Sequence, residues 1–97
     1  MARYVSLINW TDQGVRGAKD TVKRTDVARQ AFEAEGGRIL DAYWTLGPYD
    51  VVLIFEAPDD ETATRLALKL GMNGNSRTTT MRAFGEPEMA RIVQGLA

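Results

Sequence analysis

The stretch Arg38-Ile39-Leu40-Asp41-Ala42-Tyr43-Trp44-Thr45-Leu46 is followed by Gly47-Pro48-Tyr49-Asp50 and then by Val51-Val52-Leu53-Ile54-Phe55. In the first segment Leu40, Ala42, Trp44 and Leu46 alternate with Asp41, Tyr43 and Thr45, the period of two that sends successive side chains to opposite faces of a strand. The second segment has turn chemistry, with Pro48 at the position where a fixed φ suits a type I or II turn. The third is the most β-prone run in the chain. Together they predict a hairpin. Pairing around Gly47 and Asp50 puts Leu46, Trp44 and Ala42 on one face with Val51, Leu53 and Phe55. It puts Thr45, Tyr43 and Asp41 on the other with Val52, Ile54 and Glu56, and sets Asp41 opposite Glu56. The first face is apolar and belongs beneath helices. The second is too apolar for plain solvent and too polar for a core, which points to a partner surface or a ligand cavity.

Outward from the hairpin, the segment 3–10 is rich in aromatic and β-branched residues and reads as a first strand. Thr11-Asp12-Gln13-Gly14 opens a polar loop that runs through Gly17 to Asp20 or Thr21, either of which can cap a helix over about 21–35. Val27, Ala28, Ala31 and Phe32 form the apolar stripe of that helix, and Gly36-Gly37 ends it. Beyond the hairpin, Pro58 stops the strand, Asp59 or Asp60 caps a second helix, and Ala63, Leu66, Ala67 and Leu70 give its stripe. The segment 78–84 reads as a fourth strand because three consecutive threonines suit a pleated surface. Pro87 then opens a short terminal helix with Met89, Ile92, Val93 and Leu96 at helical spacing. The order β-α-β-β-α-β plus a terminal helix is that of an α+β, ferredoxin-like domain: an antiparallel sheet with two helices on one face. The other face is left open, and self-association through it is expected.

Composition narrows the function. Ninety-seven residues, 44% hydrophobic and 26% charged, fit one domain over 1–97 that buries roughly 60–65% of its unfolded surface, enough for a core without covalent staples. Twelve Lys and Arg balance thirteen Asp and Glu, with no basic block, so no nucleic-acid partner is expected. The chain has no cysteine and no histidine. That excludes thiolate nucleophiles, imidazole bases, histidine-ordered triads and ordinary transition-metal sites, so neither a metal nor a cofactor is expected. No secretion signal or membrane-length apolar run is visible, which makes a cytoplasmic protein the expectation.

Four blocks of sequence carry a family resemblance: Trp10-Thr11-Asp12-Gln13-Gly14, Thr45-Leu46-Gly47-Pro48-Tyr49-Asp50, Glu56-Ala57-Pro58-Asp59-Asp60-Glu61 and Gly74-Asn75-Ser76-Arg77-Thr78-Thr79-Thr80. In this order and spacing they resemble the GYD domain family, named for a Gly-x-Tyr-Asp turn matched here by Gly47, Tyr49 and Asp50. Ser76 departs from the pattern, standing where a β-branched apolar residue is expected. The resemblance implies the dimeric α+β barrel superfamily, in which two ferredoxin-like sheets face each other. It implies little about activity: the family has no established biochemical function, and the superfamily holds cofactor-free monooxygenases, isomerases, haem enzymes and regulatory ligand-binding domains.

Several residues are candidates for chemistry, each with a structural alternative. Tyr49 and Asp50 on the turn offer a phenol beside a carboxylate for a polar ligand; alternatively Asp50 accepts backbone N–H bonds and Tyr49 packs. Asp41 opposite Glu56 would raise one carboxyl pKa and yield a general acid or base; alternatively both point to water, Arg38 or Arg82. Arg82, sharing a face with Thr78 and Thr80, suits a substrate carboxylate or a dimer seam. Asn9, Tyr43 and Thr45 would line an otherwise apolar cavity or form a cross-strand ladder. The segment 73–77 has the look of an anion cradle, or of a plain connector. No catalytic residue is assigned. Two functions follow: a homodimeric or larger homo-oligomeric module that binds a small molecule or regulates an assembly, or a cofactor-independent monooxygenase or isomerase acting on a small apolar ring-containing or carbonyl compound. In the second, Tyr43, Asp41, Glu56 and Arg82 position or deprotonate the substrate.

Overall fold

The computed structural model describes residues 1–96. Strand β1 (Ala2–Trp10) is followed by a short helix α1 (Asp12–Arg16), a 3-10 turn at Ala18–Asp20 and helix α2 (Thr21–Ala34). The hairpin β2 (Arg38–Trp44) and β3 (Val51–Ala57) leads to α3 (Asp60–Met72), β4 (Ser76–Ala83) and α4 (Glu86–Gln94). The strands form one sheet in the order β2-β3-β1-β4, every neighbouring pair antiparallel. This is the expected ferredoxin-like α+β topology, with one helical turn added in the loop after β1.

One face of the sheet is covered by α2 and α3. Alternate residues Val51, Leu53, Phe55 and Ala57 of β3 are buried, and Tyr4, Ser6 and Ile8 of β1 lie beside them. Phe32 of α2 is 1% exposed and sets its ring edge-on to Phe55 at 5.0 Å, while Tyr4 stacks on Phe55 at 5.2 Å. Truncating either phenylalanine to alanine costs about 3–5 kcal/mol in such a setting. Ser6 is the buried polar residue of the centre, and its Oγ lies 2.8 Å from Thr80 Oγ1 on β4, so neither hydroxyl is orphaned. Ala63 and Leu66 of α3 are buried, with Leu70 packed against the cluster. The carboxylate of Asp59 caps α3 by accepting from Thr62 N at 2.8 Å, whereas Asp20 precedes α2 without a side-chain cap.

The structure corrects the hairpin in two respects. Trp44 and Ala42 keep the face of Val51, Leu53 and Phe55 as expected, but each pairs two residues earlier along β3, with Val51 and Leu53 rather than Leu53 and Phe55. A bulge between Ile39 and Asp41 then breaks the alternation at Leu40, and Ile39, not Leu40, enters the core opposite Phe55. The pairing also sets Asp41 against Ile54 and Arg38 against Glu56, so the two carboxylates are not opposite each other. The turn is wider than a four-residue one. Residues 45–50 form a loop closed by Thr45 N donating to Asp50 O at 2.9 Å, which leaves Leu46 fully exposed rather than beneath the helices. Val27 of α2 is exposed as well.

The terminal helix stands apart. Met89, Ile92 and Val93 of α4, and Leu96 beyond it, are all exposed, although they form the apolar stripe read from the sequence. Its first turn is held by Glu88, whose carboxylate accepts from Gly85 N and pairs with Arg82 at 3.2 Å. Those two donors, the backbone N–H first, hold the Glu88 carboxyl below its usual range.

Candidate functional site

Three segments distant in sequence meet at the end of the sheet where β1 finishes. The Asp50 carboxylate accepts from Trp10 N at 2.8 Å, and Asp50 N donates to Ile8 O at 2.8 Å, so this one residue extends the end of β1 by two bonds. Asn9 Nδ2 donates to Pro48 O at 2.6 Å, and Thr45 Oγ1 donates to Tyr49 O at 2.6 Å. The segment 73–76 joins from the other side. Its carbonyls converge on the short helix: Thr11 N donates to Asn75 O, Thr11 Oγ1 to Gly74 O and Gln13 Nε2 to Asn73 O. Gln13 Nε2 also reaches Asn75 Oδ1 at 2.9 Å. Gly14 lies so close that a Cβ there would fall 2.0 Å from Asn75 O, which explains a glycine in the middle of a helical turn. The segment therefore presents acceptors to its own chain, the geometry of a connector rather than an anion cradle.

Asn9, Thr45, Tyr49 and Asp50 are thus brought together: Asn9 and Asp50 hold the loop to β1, and Thr45 closes the loop on the Tyr49 carbonyl. Tyr43 is not among them. It lies on the uncovered face of the sheet, 57% exposed and opposite Val52. Around it on that face are Val5, Leu7, Val52 and Ile54, half-buried by one another, and the exposed Met81 of β4. Glu56 closes one end of this face between Arg3 at 3.6 Å and Arg38 at 4.0 Å. Among the described residues nothing packs over these side chains. The result is an apolar strip along the sheet with an ion-paired end.

Arg82 lies on the other side. It is opposite Tyr4, on the helix-covered face, and so cannot act with Tyr43, Asp41 or Glu56. Its guanidinium donates to the Arg3 and Ala83 carbonyls, pairs with Glu88 and lies 4.5 Å from the Phe84 ring centroid. Beneath it, Tyr4 Oη donates to Asp60 Oδ1 at 2.5 Å, and burial followed by that hydrogen bond pushes the phenol up to about 12. Tyr4 stays a protonated donor at neutral pH. Among the described residues no three His, Cys, Asp or Glu side chains cluster to hold a metal, and no helix is long and apolar enough to cross a membrane.

The profile of the GYD domain family matches residues 4–93. The chain belongs to the GYD domain family. It is also 33% identical, over 87% of its length and 90% of the other's, to a Thermus thermophilus protein named glutamine synthetase and cystathionine beta-lyase binding protein. A crystal structure of a protein from Thermus thermophilus superposes with a TM-score of 0.55 at 23% identity, covering 88% of this chain and 95% of that one, which supports the fold. In this GYD domain the Gly-x-Tyr-Asp segment has a definite mechanical role, since Asp50 and the Pro48 carbonyl tie the hairpin loop to β1 and the Tyr49 carbonyl closes the loop on Thr45. Thr11 and Gln13 read from sequence as plain loop residues. The signal that could have found them is the pairing of two matched blocks, Thr11-Asp12-Gln13-Gly14 and Gly74-Asn75-Ser76, which the fold brings into contact.

Proposed function

We propose that this GYD domain is a cytoplasmic binding and regulatory module that works as a homodimer and engages metabolic enzymes as its partners. The observation that carries the reading is the uncovered strip of Val5, Leu7, Tyr43, Val52, Ile54 and Met81 on a sheet whose other face lies beneath α2 and α3. A second copy is its natural cover: the same strip meets itself across a two-fold axis, and Arg3, Arg38 and Glu56 at its end can exchange ion-pair partners between copies. The exposed stripe of α4 offers further apolar surface to a second copy. The name of the Thermus relative supports enzymes, glutamine synthetase and cystathionine beta-lyase, as the partner class. The alternative of a cofactor-independent enzyme loses its acid and base constellation, because Asp41 faces Ile54 and Arg82 is across the sheet from Tyr43.

The test is direct binding of purified glutamine synthetase to the immobilised domain, with Ile54→Lys and Tyr43→Glu as monomer-forming variants. Saturable binding by the wild type, weakened in both variants, is the expected result. No binding to glutamine synthetase or to cystathionine beta-lyase by a confirmed dimer would reject the partner class.

A further inference from the structure

The helix-covered face is not filled along its whole length. On α2 the inward positions run from Phe32 through Ala28 to Thr25 and Thr21, at helical spacing, so the side chains facing the sheet shrink toward the N-terminus of the helix. At the other end, α2 and α3 are clamped by Glu35, which accepts from Arg65 Nε at 2.7 Å and lies 2.9 Å from Lys69 Nζ. The helices are therefore pinned at the Phe32 end, and a cleft of about 370 Å³ opens at the Thr21 end, within the range of small-molecule sites. Its floor is Ile8, Val51, Leu53 and Leu70, with Trp10 at one side.

The rim is polar and its charge leans positive. Lys23 and Arg24 line the mouth against a single acid, Asp20. Arg24 is held in place, donating to Gly17 O at 2.8 Å and Gly14 O at 3.2 Å, which fixes its guanidinium beside the opening. Ser76 also lines the cleft, and its Oγ reaches Leu70 O at 3.3 Å. A β-branched apolar residue there would add bulk where serine leaves space. The latch that binds Thr11 and Gln13 to residues 73–75 holds this end of the cleft together, giving its walls a fixed spacing without occupying the apolar floor.

We propose that this cleft binds a small amphipathic carboxylate, its apolar body lying on Ile8, Val51, Leu53 and Leu70 beside Trp10 and its carboxylate facing Lys23 and Arg24. An apolar floor supplies affinity by burial, and one or two cations at the rim select an anionic head over a neutral one. The site is on the opposite side of the sheet from the dimer strip, so it stands or falls independently of that reading.

The probe is 4-phenylbutyrate, compared with its neutral counterpart 4-phenylbutanamide, followed by amide chemical shifts of the isotope-labelled protein. The expected result is saturable binding of the carboxylate at up to millimolar concentration, with shifts at Val51, Leu70 and Ser76. The amide should bind about fivefold more weakly, and Lys23→Gln should erase that preference. Leu70→Trp should fill the floor and abolish binding; if that variant fails to fold, Thr25→Phe blocks the cleft from α2 and carries the same expectation. No saturable binding of either compound, equal affinity for both, or shifts confined to Val5, Leu7 and Val52 would each overturn the proposal.

Discussion

The two ends of this sheet are finished in different ways. Where β1 ends, the loop 45–50 is tied to β1 and the connector 73–76 to Thr11 and Gln13, by seven hydrogen bonds within the chain. Where β4 ends, α4 is held through Glu88 and Arg82, and its apolar stripe touches water. The difference separates an end whose groups satisfy one another within the chain from one whose apolar groups are left uncovered, where the proposed partner would sit. Polar groups of the latch satisfy one another and need no second molecule to do so, which leaves only the apolar cleft beside them open; apolar residues at the α4 end and on the open face have no cover within the described chain.

The largest effect should come from the tightest contact at the latched end. Gly14→Ala places a methyl group against the Asn75 carbonyl and should lower unfolding free energy by roughly 3 kcal/mol in urea denaturation. A change within the ordinary surface range would break the claim that α1 and the connector are locked. Asp50→Ala removes the acceptor for Trp10 N and should cost about 2 kcal/mol, with Asp50→Asn, which keeps one oxygen, costing about 1 kcal/mol. If Asp50→Asn instead keeps full stability but weakens binding of a partner enzyme or of 4-phenylbutyrate, Asp50 is a binding residue and the latch is secondary.

At the other end the expectation reverses. In the monomeric Ile54→Lys background, Ile92→Asp should change folding stability by no more than about 0.5 kcal/mol, because Ile92 lies exposed on a stripe that its own chain leaves uncovered. In the wild-type background the same substitution should weaken the dimer. A clear destabilisation of the monomer would show that α4 folds back onto its own chain.

The smallest effect tests the clamp between the two helices. Hydrogen bonds from Lys69, then Arg65, hold the Glu35 carboxyl below its usual 4.5. A carboxyl depressed on folding adds stability above its unfolded value, and that contribution is lost as pH falls through the folded one. Glu35→Gln should therefore be less stable than the wild type at pH 7, with the gap closing as pH falls below the ordinary carboxyl value and through the depressed folded one. A gap that persists in acid would mean the substitution acts through packing instead of charge.

Much of the fold was legible because it rests on local patterns. The alternation of Val51 to Ala57, the Asp59 cap and the Ala63-Leu66-Leu70 stripe all carry their physics in adjacent residues. The register of the hairpin was legible only in part: the facing of Trp44 and Ala42 followed from period two, but the bulge at Leu40 is decided by which of Ile39 and Leu40 fills space beside Phe55, a tertiary matter. The two-residue shift in register that comes with the wider loop, already in place at Trp44 and Val51, separated Asp41 from Glu56 and dissolved the acid pair. Tyr49 and Asp50 read from sequence as a turn site, and Asn9 and Thr45 as polar groups of a cavity or ladder; the fold gathers all four at the loop, where the partners of Asp50, Trp10 N and Ile8 O, are backbone atoms that no side-chain motif announces. Arg82 was assigned the face of Thr78 and Thr80, and keeps it; what period two could not say was that this face lies under the helices. The cleft was invisible because it arises from side chains too small to fill a space, Thr21 and Thr25 of α2 and Ser76 of β4, rather than from any residue that signals chemistry.

The central claim is that two copies cover each other's open sheet faces, and sedimentation velocity tests it most directly. At micromolar concentration the wild type should sediment as a dimer, and Ile54→Lys and Tyr43→Glu should each sediment as a folded monomer, since each places a charge on the seam. A monomeric wild type, or a dimer unchanged in both variants, would contradict it.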